Sequence, residues 1–207
     1  MDAAQGQSAG KDLKSNLNLC YHIAGFVDGE GAFPIQMRKT KDTKFGFTVT
    51  PEFKISQHKD HKEILELIQE ILGCGKISVK SGQPNLFVLV EKNRKNLSEK
   101  IIPFFKIYPL IVKQEQFKLF SEIVKKLENN EQETREGFEK IVELVFKTKG
   151  KGKRKYSKQE ILGIAHLYEP GANDNASGVS VLIEIANLLK KIGKPKTNQK
   201  IAIPIHL

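Results

Sequence analysis

The chain has no tryptophan, and its 207 residues include only two cysteines, Cys20 and Cys74. Two thiols define no disulfide framework, which excludes a small secreted scaffold held by cross-links. Each has apolar or glycine neighbours and reads as a buried thiol in a reducing compartment. No apolar run approaches the length of a membrane span, and Met1–Gly10 is too polar and small for a signal peptide. The expected location is therefore intracellular, without membrane association. Acidic side chains are in the minority, 24 against 34 Lys and Arg, leaving a net charge of +10. That excess points to a polyanionic partner, nucleic acid ahead of an anionic membrane surface. Hydrophobic content of 39% is ordinary, and the length suits one core, or one domain with an appendage.

Residues 1–13 read as disordered, and an apolar-rich helix is expected from Ser15 through Leu19, Ile23 and Phe26. The period then changes to two. Phe33, Ile35 and Met37 alternate with polar neighbours, and beyond a basic loop Phe45, Phe47, Val49, Pro51, Phe53 and Ile55 do the same. Such alternation predicts a half-buried antiparallel hairpin. Asp60 and Glu63 suggest a capping box for a helix with Ile64, Leu65, Leu67, Ile68, Ile71 and Leu72 inward, stopped at Gly73-Cys74-Gly75. A second hairpin is expected over Lys76–Lys80 and Leu86–Val90 with a Ser81–Pro84 turn. Helices are then expected over 97–105, around Phe117–Leu127 and over 134–146. This order gives an α+β fold with one sheet packed on helices. The exposed parity of its strands carries Gln36, Arg38, Lys54, Lys76, Ser78 and Lys80, side-chain types that read phosphates and base edges.

The organising stretch is Ile23-Ala24-Gly25-Phe26-Val27-Asp28-Gly29-Glu30-Gly31. Gly25 and Gly29 share a helix face and leave a flat place where another backbone could approach. Asp28 and Glu30 lie at the helix C-terminus, where a carboxylate is disfavoured by roughly 0.3–1 kcal/mol unless a positive group is near. A hard divalent cation, which takes oxygen ligands, would answer that.

The same stretch, continued by Ala32-Phe33, resembles the signature of the LAGLIDADG homing endonucleases, and the resemblance extends over residues 15–160. It implies an αββαββα core with a saddle-shaped antiparallel sheet clamping double-stranded DNA. One motif per chain implies a homodimer with Ala24, Gly25 and Gly29 at the two-fold contact. Glu30, where the family more often has Asp, and Gly29 would bind Mg²⁺ or Mn²⁺. Gln57 matches the water-positioning residue late in the second strand, and Lys113, or failing it Lys106, the lysine that offsets developing negative charge. Asp28 would cap or stabilise the motif turn. The implied activity is site-specific cleavage of a long near-palindromic target, in a prokaryotic cytoplasm or an organelle. An RNA maturase acting on intron RNA, using the same basic face without cutting, is the alternative. His58 and His61 complete no zinc site and read as surface or DNA-facing residues.

The basic run over 147–160 reads as a linker that tracks phosphate. Beyond it, 161–207 reads as a strand–loop–helix appendage, with Ile161–Leu167 a buried strand. The segment from His166 to Gly178 is similar to the metal-binding segment of M28-type zinc aminopeptidases, with His166 and Asp174 at zinc-ligand positions. The family's other ligands come from later strands that this chain lacks, so an aminopeptidase is disfavoured. The tail is expected to be a remnant of a host exon.

Overall fold

The computed structural model describes the backbone of residues 5–148 and 155–168, and side chains from residue 17 onward. Helix α1 runs from Gln5 to Glu30, so residues 5–13, read as disordered, have helical backbone. Propagation from an anchored turn costs little, and Gln, Ala, Lys and Leu are good helix formers. The helix ends on Gly31, where a Cβ would lie 2.6 Å from Val27 Cγ1 and 2.7 Å from Val27 O. Only glycine lets the chain turn there directly from helix into strand β1, Gly31–Ala32.

From β1 the chain passes Phe33-Pro34 into β2, Ile35–Lys39, which pairs antiparallel with β3, Phe47–Pro51. Strand β4, Phe53–His58, then leaves that pair to join β1 and the second hairpin, β5 (Lys76–Lys80) and β6 (Gln83–Glu91). The expected single sheet is thus two, a β2-β3 ribbon and a four-stranded β1-β4-β6-β5 sheet. The break falls where Pro34, lacking an N–H, cannot continue the ladder. Its carbonyl accepts instead from the Glu52 N–H, at 2.9 Å, and the ribbon bends at that pair.

Helix α2, Lys62–Leu72, follows a 3₁₀ turn at Lys59–His61. The turn draws Asp60 out of the capping position, so the expected Asp60–Glu63 box does not form; His61 is at the N-cap without a side-chain cap bond. Asp60 pairs with His58 at 3.1 Å, and His61 with Glu63 at 3.7 Å. Leu65, Ile68 and Leu72 are buried, whereas Leu67, expected inward, is exposed. After β6 come α3 (Arg94–Asn96), a π-helical stretch Leu97–Ile101, and α4 (Ile102–Ile107). The wider turn precedes Pro103, which has no N–H for the normal ladder. Helices α5 (Gln114–Glu128) and α6 (Arg135–Lys147) complete the covering layer.

Two clusters form the core. Phe33, fully buried, anchors the first, with Phe53, Phe105, Phe117 and Phe120 rings 5.1–5.9 Å from its own. Cys20 and Cys74, expected buried, are half-buried free thiols. Burial, then the nearby Glu91 carboxylate, pushes the Cys74 thiol up to about 11.

The second cluster joins the β2-β3 ribbon to α5, α6 and α7, Lys158–Leu167. Residues 161–167 are therefore helical, not the expected strand. The Ser157–Glu160 capping box starts the helix, and Ile161 and Ala165, one turn apart, are its buried residues. A short apolar run cannot by its period alone be told from a strand. Tyr168 packs over Gly46, whose φ of +72° favours glycine and where a Cβ would lie 2.8 Å from the Tyr168 ring. The expected appendage thus begins as part of the second core, and the strand–loop–helix expectation beyond residue 168 lies outside the described residues. Ile161→Ala is expected to cost about 3 kcal/mol in denaturant unfolding; an unchanged midpoint would show α7 to be peripheral.

Candidate functional site

The end of α1 is fastened to the loop before α5 by Asp28. Its Oδ2 accepts the N–H groups of Ile111 and Val112, and its Oδ1 that of Lys113, all at 2.8 Å. These donors lead into the α5 N-terminus, where an anion satisfies orphan N–H groups and the helix dipole. Burial acts to raise the Asp28 pKa, but the N–H groups of Val112, Lys113 and Ile111, with the Lys113 ammonium, outweigh it and hold the carboxyl below its ordinary 3.8. Because the folded value lies below the unfolded one, Asp28 stabilises fully above about pH 4, and the effect is lost as pH falls through the folded value. Asp28→Asn is expected to cost about 2 kcal/mol at pH 7. Melts at pH 7 and pH 3 should show the gap to wild type closing in acid.

Lys113 reaches back across the same joint. Its Nζ donates to the carbonyls of Val27, at 3.2 Å, and Gly29, at 2.8 Å. A cation on the last carbonyls of a helix meets the negative end of its dipole. Glu30, the terminal residue of α1, is exposed beside them. The helix end thus brings together Glu30, the Gly29 carbonyl and Lys113, three of the expected site groups, whereas Lys106 lies exposed in the last turn of α4. Gln57 lies two residues beyond Ile55, the register partner of Gly31, with its amide oxygen accepting the His58 N–H at 2.8 Å.

The oxygen donors fit a hard cation: the Gly29 carbonyl already accepts an ammonium, and Glu30 offers an exposed carboxylate. Among the described residues, no group of three or more His, Cys, Asp or Glu could hold a metal within one chain. Of the zinc-type pair, His166 lies on α7 with Nε2 against the Arg135 guanidinium, which is not the setting of a metal ligand. Asp174 lies outside the described residues.

Gly25 and Gly29 are both exposed, and a Cβ on either would meet nothing within 4 Å. Tyr21 and Leu17, 54% and 48% exposed, continue that face at four-residue spacing. Ala24 does not belong to it. It is buried in the chain's own first core cluster, one helical position round from Gly25, which corrects its expected place at an interface.

The outer face of the strands carries the expected polar set. Lys54 and Lys76 flank Val90 on adjacent strands, and Ser78 faces Val88 in the next row. Gln36 and Arg38 stand opposite Thr50 and Thr48 on the ribbon. The ladder shifts between Val79 and Lys80, so Lys80 follows an irregularity and does not extend the regular row. Sequence reasoning missed two members of this surface, Lys92 and Glu52. Lys92 follows β6 on the Val90 parity, and Glu52 falls on the Lys54 parity, the only signal either gave. Among the described residues no helix is long and apolar enough to cross a membrane.

A family profile described as LAGLIDADG endonuclease matches residues 23–124, and one described as Peptidase family M28 matches residues 143–204. Homing endonuclease I-ApeII of Aeropyrum pernix is 33% identical over 154 residues, which span 69% of this chain and 87% of that protein. DNA endonuclease I-CeuI of Chlamydomonas moewusii is 41% identical over 86 residues, spanning 42% of this chain but 39% of that protein. Among solved structures, the archaeal intron-encoded homing endonuclease I-Vdi141I complexed with DNA superposes with a TM-score of 0.69 at 36% identity. That match covers 76% of this chain and 98% of the other. The helix-end acid, the open glycine face, the paired hairpins and these likenesses agree: the chain belongs to the LAGLIDADG family of homing endonucleases.

Proposed function

We propose that the chain is a homodimeric, site-specific double-strand DNA endonuclease that hydrolyses phosphodiester bonds with Mg²⁺ or Mn²⁺. The observation that supports it most is the exposed Glu30 at the end of a helix whose glycine face is open. A two-fold partner lying on Gly25 and Gly29 brings a second Glu30 close to the first, so one chain's sparse ligand set becomes two. An isologous contact of this kind matches a near-palindromic target.

A bound divalent cation lowers the pKa of its water and offsets charge on the scissile phosphate. The chain's own groups do the rest. Glu30 and the Gly29 carbonyl hold the cation. Gln57, through its amide nitrogen, orients the attacking water. Lys113 moves its ammonium from the helix carbonyls toward the phosphate oxygens, where negative charge builds as the P–O bond to the leaving oxygen breaks. Gln36, Arg38, Lys54, Lys76 and Ser78 contact bases and phosphates in the groove. The match to Peptidase family M28 begins inside α6 and takes in α7. It fits a reading frame that runs on into a peptidase-coding exon. With His166 against Arg135, peptidase chemistry has no support.

The test uses a duplex selected by binding from a random library in Ca²⁺. Adding Mg²⁺ should cut it at one site, and EDTA should abolish cutting. Tight binding without cutting in any divalent cation would overturn the nuclease reading, and intron RNA would be the next substrate.

A further inference from the structure

Glu52 is fully buried although it lies on the outward parity of the strands, at the bend between the two sheets. A buried carboxylate is tolerated only when paired, and on a polyanion-binding face it also repels the ligand. Its Oε1 accepts Gln36 Nε2 at 2.8 Å and has Lys92 Nζ at 2.8 Å; its Oε2 has Lys54 Nζ at 3.5 Å. Those partners come from β2, from the residue just past β6 and from β4, so one acid ties the outer faces of both sheets together. Two lysines share a single negative charge, and both ammonium groups are drawn to Glu52 instead of ranging freely over the surface.

Gln36 is fixed more tightly still. A carboxylate only accepts and a guanidinium only donates. With Glu52 on one side and Arg38 Nη2 donating to Gln36 Oε1 at 3.0 Å on the other, the amide can face only one way round. An amide of set polarity presents a fixed donor–acceptor edge, the feature by which a glutamine discriminates bases.

We infer that Glu52 is a positioning residue for target discrimination: it restrains Lys54, Lys92 and Gln36, giving up non-specific affinity for sequence selectivity. This rests on the DNA-endonuclease reading. The test compares the full-length wild type with Glu52→Gln, Glu52→Asp and Gln36→Ala, in Ca²⁺ to prevent cutting. Binding to a random-sequence duplex is followed over a salt series, and base preference over a library of singly substituted targets. Releasing both lysines in Glu52→Gln should tighten non-specific binding and steepen the log–log salt slope by about one to two, at 0.9 per phosphate. Base preference opposite Gln36 should fall about tenfold. Glu52→Asp should retain the wild-type slope, and Gln36→Ala should lose the preference with no change of slope. A lower melting temperature with unchanged slope and preferences in Glu52→Gln would overturn the inference. Should Glu52→Gln fail to fold, retained base preference in Gln36→Ala would do so. Failure of wild type to bind duplex DNA at all would instead strike the endonuclease reading itself.

Discussion

Glu30→Gln is expected to bind duplex DNA as wild type does and to cut it about a thousandfold more slowly, the loss of several kcal/mol of metal-assisted stabilisation. The substitution keeps size and a carbonyl oxygen while removing the charge that would hold a divalent cation. Glu30 is exposed at the last position of α1, so no buried contact is lost. Its charge there opposes the helix dipole, and neutralising it should raise stability by about half a kcal/mol. A variant with a higher melting temperature and a rate lowered this far separates a functional acid from a structural one. Single-turnover cleavage at saturating protein, beside gel shifts in Ca²⁺, measures both halves. Wild-type cutting rates would remove Glu30 from the site.

Gly25→Leu is expected to give a folded monomer without double-strand cleavage. Within one chain the added side chain meets nothing within 4 Å of its Cβ, and replacing a mid-helix glycine gains up to about 1 kcal/mol. The harm falls wholly on a second helix laid against that face. The surface around it suits an apolar partner: Leu17 and Tyr21 lie along the same face. Ile111 and Val112, 87% and 82% exposed, are held next to the helix end by their N–H bonds to Asp28. Sedimentation at micromolar concentration should show wild type as a dimer and the variant at half that mass, with equal or higher melting temperature. A dimeric variant would place the interface elsewhere.

Most of the architecture was legible because it rests on local periodicity. The apolar spacing of Phe117–Leu127 and Phe138–Val145 is a helix signal, and α5 and α6 lie there. The alternation from Phe45 to Ile55 is a strand signal, but it runs unbroken through Glu52, where the chain divides into β3 and β4 of two different sheets. The errors have particular causes. Ile161–Leu167 is too short an apolar run for its period to decide, and the Ser157–Glu160 capping box starts it as a helix. Asp60 had the right spacing for a cap but was drawn into a 3₁₀ turn. The resemblance places Ala24 beside Gly25 at the two-fold contact, while the helical angle between neighbours turns Ala24 inward and Gly25 outward.

The linear chain fixed what depends on residue type and short spacing: the acid at a helix end, the glycine pair four apart, the basic balance and the order of helices and hairpins. Folding settled what depends on residues far apart in the chain. Asp28 meets the loop at 111–113, Lys113 returns to the carbonyls of Val27 and Gly29, and Glu52 gathers Gln36, Lys54 and Lys92 at the bend between two sheets. No spacing rule reports such meetings. They follow from where Pro34 breaks a ladder and from how two core clusters pack. Burial then sets whether a carboxylate stays a surface charge or becomes the centre of a polar network.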